Sequence, residues 1–363
     1  MTYGPRGLLV CLAVCLALVS QRAHAEPYLA VQQGYKCIAC HVNPTGGGLR
    51  SAFGIVFAEN LMPAAGLPEG APVWSGKAGE FLRLGADLRA SWTRTEVAHS
   101  SARRDFNVDQ LRVYADAAVI PDRLALYVDE GLAPGNAHAL EAYVRFSDPA
   151  GRWYLKGGQF YLPFGWRLQD QTAFVREVSG ISMTGPDSGV EIGFERSSWS
   201  AQLDVSNGAA NAGTGSGHQL TSQVVWVQSR YRIGGAASFT QSGAGNRRVG
   251  GVFAGLRTGP VAWLGEVDGV RDDGYPDGPR SMLAALGEAD WLIRKGHNLK
   301  ITAEYYDPDR SVAEDQKTRW SVLYEFTPLP FVQLRAGLRR YRGIPQNDLD
   351  NRRTLFLELH GFL

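Results

Sequence analysis

The sequence predicts a mainly β protein: a transmembrane antiparallel β-barrel of about sixteen strands, preceded by a small N-terminal helical segment. Three observations predict it. Apolar and polar residues alternate with period two through most of the chain after Phe81. Very short connections alternate with long polar ones. The final residues Leu355, Leu357, Leu359, Gly361 and Leu363 make an apolar row that runs to the C-terminus, with Phe362 beside it.

Composition sets the frame. Of the 363 residues, 44% are hydrophobic, enough to coat a large membrane-facing wall, and 43 glycines with 10% aromatic residues favour strands joined by turns. The 37 basic and 36 acidic residues nearly cancel and form no basic stripe, which argues against nucleic acid as a partner.

Residues 1–25 read as a signal peptide. Arg6 supplies the positive start, Leu8 to Val19 is an apolar run too short to span a bilayer, and Ala23-His24-Ala25 fits a cleavage site that leaves Glu26 first. Cys11 and Cys15 leave with it. A lipoprotein site at Leu12-Ala13-Val14-Cys15 would put the anchor inside the apolar run, and Val14 is larger than the usual residue there.

The next segment, residues 26–66, contains Tyr35-Lys36-Cys37-Ile38-Ala39-Cys40-His41. Two cysteines three apart, followed at once by a histidine, make the attachment pattern of a c-type haem. Each thiol adds to one vinyl group of the porphyrin, and the adjoining imidazole meets the iron from the proximal side. One covalent haem c is therefore expected, attached at Cys37 and Cys40, with His41 as an axial ligand of the iron. A disulfide would leave His41 without a reason. Zinc would want four ligands, and no second Cys or His pair stands nearby.

Pro44, Gly46, Gly47 and Gly48 then form a turn of little bulk, either a plain loop or bare backbone that lies close against a flat ring. Leu49 to Leu61 reads as a short helix with Leu49, Phe53, Val56, Phe57 and Leu61 on one apolar face. Phe53 and Phe57 are candidates to pack on the haem. Arg50 is either a propionate partner or a solvated surface residue. The sixth ligand is open between Met62, the only methionine of the segment, and a histidine from His99, His138, His218, His297 and His360. Residues 67–79 are rich in Pro, Gly and Ala and read as a linker.

From residue 80 to 363 the barrel is expected. Leu82, Leu84, Ala86, Leu88, Ala90 and Trp92 alternate with Arg83, Gly85, Asp87, Arg89 and Ser91, and similar rows start at Gln110, Leu299 and Val332. Short turns are expected at 121–123, 148–151, 196–198, 233–234, 257–259, 295–296 and 327–330. Long loops are expected near 95–105, 132–137, 161–187, 208–218, 243–247, 270–280, 307–315 and 342–352. Both termini then fall on the short-turn, periplasmic side. Glu358 and His360 face the lumen near that rim, which makes His360 a second candidate for the distal position beside Met62. The loop 161–187 is the longest, and either folds inward to narrow the pore or covers it from outside.

Two resemblances enter here. Gly158-Gln159-Phe160-Tyr161-Leu162-Pro163-Phe164-Gly165, the strand around Gln110-Leu111-Arg112, and Gly296-His297-Asn298-Leu299-Lys300 resemble the phosphate-selective porin O/P group, which implies a sixteen-stranded porin over residues 80–363. The expected lumen mixes Arg83, Arg89, Arg112, Arg335 and Arg339 with Asp87, Asp116, Asp129, Glu304 and Glu358, so anion preference is not carried over. The order of one CxxCH segment and then a barrel is similar to outer-membrane porin–cytochrome c fusions of extracellular electron transfer and iron oxidation. That resemblance implies a haem segment within or at the mouth of the barrel, and ferrous iron as the electron source.

Three functions compete. The first is electron transfer at or across the bacterial outer membrane, with a periplasmic or extracellular redox partner and outer-membrane lipid around the barrel. It needs no general acid or base, so no catalytic residue is expected. The second is a porin for small solutes whose haem is structural or docks partners. The third is peroxide reduction at an open haem, which requires a vacant sixth position, and no distal His/Arg pair adjoins the motif.

Overall fold

The computed structural model describes residues 26–68, 70–208 and 217–363. The signal peptide expected over residues 1–25 lies outside the described residues, as does most of the loop expected at 208–218.

Sixteen strands form one closed antiparallel barrel. They are β1 (Leu82–Glu96), β2 (Arg103–Ile120), β3 (Leu124–Ala133), β4 (His138–Ser147), β5 (Trp153–Phe160), β6 (Asp187–Glu195), β7 (Trp199–Ser206) and β8 (His218–Val227), followed by β9 (Tyr231–Ser242), β10 (Gly245–Thr258), β11 (Val261–Asp272), β12 (Arg280–Arg294), β13 (His297–Asp307), β14 (Lys317–Leu329), β15 (Val332–Arg342) and β16 (Arg353–Phe362). Each strand pairs with its neighbours in sequence, and β16 returns to β1 with Leu88 opposite Gly361 and Trp92 opposite Leu357. Closure leaves no unpaired edge, the one way a sheet is tolerated in hydrocarbon.

Alternation assigns the faces. Leu355, Leu357 and Leu359, with Leu334 and Leu338 beside them, stand exposed on the outer wall, while Asp87, Arg89, Arg112, Asp116, Asp129, Glu304 and Arg335 are buried inside.

Two expected connections are different. Ile233-Gly234 is not a turn but part of β9, and the turn lies at 228–230, where the Gln228 amide donates to the Tyr231 carbonyl at 2.8 Å. Gly234 is bare for packing: a Cβ there would sit 2.2 Å from the Phe253 ring. The loop expected at 243–247 is a two-residue hairpin, Gly243-Ala244, with Gly245 paired to Ser242.

The lumen is filled from two directions. From the short-turn side enter the helices α1 (Pro27–Gln33), α2 (Cys37–Cys40) and α3 (Ala52–Asn60). The expected apolar face of the last helix is only partly the buried one. Ile55, Phe57 and Ala58 are buried, whereas Phe53, Val56 and Leu61 are exposed. Ile55 and Ala58 pack on Phe331 and Phe362 at the foot of β15 and β16. The segment after α3 hugs the rim, with the Ala64 amide donating to the Thr327 carbonyl at 2.8 Å and the Trp74 indole to the Leu84 carbonyl at 3.3 Å.

From the other side the connection between β5 and β6 folds inward, carrying α4 (Phe174–Ser179). Its Arg176 pairs with Glu266 of β11, and the Phe174 amide donates to Glu304 of β13 at 2.8 Å. Arg319 of β14 binds Glu304, Asp170 (2.9 Å) and the Thr172 hydroxyl (2.7 Å) together. Phe164, Trp166, Phe174, Val175 and Ile181 complete one apolar core with α1 residues Tyr28 and Val31.

Arg319 is 2% exposed, so removing it leaves the buried Glu304 without its cation, while Asp170 keeps Arg339 at 2.8 Å. Arg319→Met is expected to cost about 3–5 kcal/mol of anchoring for this loop. Limited trypsin digestion of the detergent-solubilised protein checks this: cleavage after Arg176 should become fast in the variant, and an unchanged rate would mean that the apolar contacts alone hold the loop.

Candidate functional site

The cysteine motif forms a single helical turn. Residues three apart share a face of a helix, so α2 presents Cys37 and Cys40 on the same side, and the His41 amide closes the turn on the Cys37 carbonyl at 3.0 Å. Both cysteines are free thiols, partly exposed. Ser51 locks α2 to α3: its hydroxyl donates to the Ala39 carbonyl at 2.7 Å and accepts from the Gly54 amide at 3.0 Å. Gly54 must be glycine, because a Cβ would lie 2.1 Å from the Cys40 carbonyl oxygen.

The chain then turns and comes back. His41 and Arg50 form an antiparallel bridge, and Val42 donates to the Leu49 carbonyl at 2.9 Å. The loop between them is gripped by the wall. Asn43 donates to Glu141 at 3.1 Å, Arg145 binds the Val42 carbonyl, and the Leu49 amide donates to the Tyr127 hydroxyl at 3.1 Å. Gly48, at φ 62°, passes so close to that hydroxyl that a Cβ would stand 2.0 Å from it.

A cavity lies between this plug, the inward loop and strands β6 to β10. Cys37, Cys40 and His41 line it together, with Pro44, Gly46, Gly47, Arg50 and Phe57. Its apolar walls are Leu29, Ala30, Trp166, Val225, Val227 and Phe253, and its cations are Lys36, Arg50, Arg167 and Arg232.

Arg50 is not a surface residue. It is 2% exposed, and its guanidinium carbon lies 5.5 Å from the centre of the Phe362 ring. Its Nε and Nη2 have no hydrogen-bond partner among the described residues. Burial pushes its pKa down to about 10, against the pull of the Cys40 thiol and the Asp87 carboxylate. Burial also raises the Cys40 thiol, against the pull of Arg50. Arg232 is similar: it binds the Tyr35 carbonyl, lies over Trp166 at 5.4 Å and has an unpartnered Nε. Buried cations with open donors beside two thiols and an imidazole are what a propionate-bearing haem c needs, so the residues fit the group.

Not every expected residue reaches this cavity. Met62 packs against the cluster of Ile55, Ala58, Phe331 and Phe362 and lines a neighbouring cavity with Tyr28, Leu29 and Phe57. His360 stands on the wall between Asp87 (3.0 Å) and Gln333 (3.3 Å), with Arg89 at 3.1 Å. Neither lines the cavity of the cysteines, nor do His99, His138, His218 and His297. Gly48 faces Tyr127, and Phe53 packs edge-on against Tyr35 at 5.4 Å.

Residues missing from the sequence reading are Lys36, Trp166, Arg167, Arg232 and the valines of β8. One signal for them exists. Val224-Val225-Trp226-Val227 breaks the alternation, so the inner face of the barrel is apolar there.

No protein-family model matches the sequence, and no curated protein matches it. Solved structures share its fold. OmpT, an outer membrane protein of Vibrio cholerae, superposes with a TM-score of 0.62 at 10% identity over 78% of this chain and 100% of its own. The anion-selective porin from Comamonas acidovorans gives 0.60 at 11% over 77% of this chain and 98% of its own. The outer membrane channel DcaP of Acinetobacter baumannii gives 0.56 at 11% over 77% and 96%. At these identities the similarity concerns the fold, a closed sixteen-strand barrel of the porin type.

Proposed function

We propose that this protein is an outer-membrane barrel that carries one covalent haem c inside its lumen and transfers electrons there. The observation that carries the reading is the shared cavity: two thiols on one face of a turn, His41 beside them, and buried arginines with open donors, all inside a filled barrel.

Cys37 and Cys40 would hold the haem covalently, and His41 would be its proximal ligand. Once bound, the haem supplies a one-electron couple. The chain's own residues do the rest. Arg50 and Arg232 offer charge-assisted donors to propionates, and Trp166, Phe253, Val225 and Val227 exclude water. Ile38, between the two cysteines, is 36% exposed and lines a second cavity with the short turns at Asp122 and Asp148. That opening gives a periplasmic redox partner a short approach to the motif.

The porin-type neighbours support a second reading, a solute channel with a structural haem. The filled lumen speaks against free passage.

Three outcomes test this. Outer-membrane fractions should show a c-type absorption band that is lost from the denatured polypeptide of Cys40→Ala, and a wild-type chain without covalent haem would end the proposal. Arg50→Met should keep the haem but lower its midpoint potential by on the order of 60 mV, a factor of ten in a one-electron equilibrium, because a buried cation favours the reduced iron. Redox titration reads it, and an unchanged potential would place Arg50 away from the haem. In planar bilayers the intact protein should be silent, whereas steady single-channel conductance would favour the transport reading.

A further inference from the structure

The outer wall carries a basic patch that neither the lumen nor the haem reading uses. β15, β16, β1 and β2 are consecutive around the barrel. Their outward rows are apolar through the middle, with Leu334, Leu338, Leu355, Leu357 and Phe106 exposed. At the long-loop end the same rows continue as Arg340 and Arg342, Arg353, Arg94 and Arg104. Inward neighbours such as Arg339, bound to Asp170 at 2.8 Å, belong to the other face.

The register sets like charges side by side. Arg340 pairs with Arg353, and Arg94 with Arg104. Such pairs oppose sheet formation unless something neutral or anionic intervenes. Within the patch and among the described residues, the one ion pair is Arg94 with Glu96 at 2.8 Å. A groove runs across it, with Trp320, Leu338 and Leu355 apolar and Arg94, Arg340 and Arg353 towards the long-loop end, where Glu96, paired with Arg94, is its one carboxylate.

We infer that this groove binds a phosphorylated lipid of the outer leaflet, with acyl chains on the apolar floor and phosphates held by the arginines. Guanidinium forks match phosphate oxygens bidentately. A free anion would use the arginines and leave Trp320, Leu338 and Leu355 without a role. Arginine on the lipid face costs little near the interface, so the patch is tolerated at this height and would not be at mid-bilayer. The site rests on the outer-membrane reading above, with the long loops outside, but not on the haem.

The test uses the full chain in phosphatidylcholine nanodiscs doped with bisphosphorylated lipid A or its dephosphorylated form, read by native mass spectrometry. Wild type should retain the phosphorylated lipid, and Arg340→Gln/Arg353→Gln should retain it at least about tenfold more weakly. Heat-modifiable mobility on gels confirms that the variant barrel is folded. Excess inorganic phosphate should not displace the lipid. Equal retention by wild type and variant, equal retention of the dephosphorylated lipid, or displacement by inorganic phosphate would each overturn the site. Surface labelling of whole cells through Ser311→Cys reports separately whether the long loops face outward, and haem content plays no part in either readout.

Discussion

Closing sixteen strands and then filling the lumen buries most of the inward charges, and the rest of the structure answers to that constraint. A buried ion is tolerated only with a partner. Lys300 has Glu26 and Glu288 at 3.1 Å and Asp290 at 3.6 Å. Arg335 joins Glu358 at 2.8 Å and Glu325 at 3.1 Å, and Arg89 joins Glu358 at 3.0 Å. Glu26 is the contribution of the plug to this network. Burial pushes its carboxyl up, but Lys300, Arg335 and Arg89 reverse that and hold it at about 2. The residue that precedes α1 is thus fixed against one sector of the wall by charge.

The opposite sector is built differently. On β8 to β10 the lumen side in the short-turn half shows Val225, Val227 and Phe253, and Trp166 from the inward loop lies against Phe253 at 5.2 Å. An ordinary porin lumen is polar and wet. Here one sector is charged and grips the plug, while the other is apolar and borders the cavity of the cysteines. That division positions the thiols: α1 is fixed on the charged side, Lys36 pairs with Glu195 on the other, and α2 is held between them.

Much of the barrel was legible because its physics is local. Period-two alternation needs only neighbours, so strand rows such as Leu355 to Leu359 read directly, and the order of short and long connections followed except at 243–247. Legibility failed where a residue's role depends on a distant partner. Gly234 looked like a turn because glycine usually marks one, but the Phe253 ring occupies its missing side chain. The helix face was misjudged at Phe53 and Val56 because what covers α3 is the foot of the last strand, about 300 residues away in sequence. Arg50 reads in sequence first as a solvated surface residue and second as a propionate partner, and only its position beside Phe362 and His41 shows it buried. The cysteine motif stands out in the sequence by itself, whereas the wall beside it, Trp166, Arg232 and Val225, comes from segments with no local signature of their own.

The contacts at the closing seam also constrain the order of assembly. Leu49 fills the space over Gly85 of β1, where a Cβ would lie 2.6 Å from its side chain, and Arg50 stacks on Phe362 of β16. Ile55 and Ala58 pack on Phe362 and Phe331 of the same sector. The plug therefore touches both strands that complete the ring, and those strands bury part of it as they pair. A segment packed in this way cannot thread into a finished barrel without breaking the seam. Covalent chemistry at Cys37 and Cys40 needs an accessible, extended chain, so on the proposed reading it precedes closure of β1 on β16. On that reading the haem would become part of what the last strand folds against, and loss of attachment would weaken the seam, because Arg50 lines the cavity of the cysteines and also lies over Phe362.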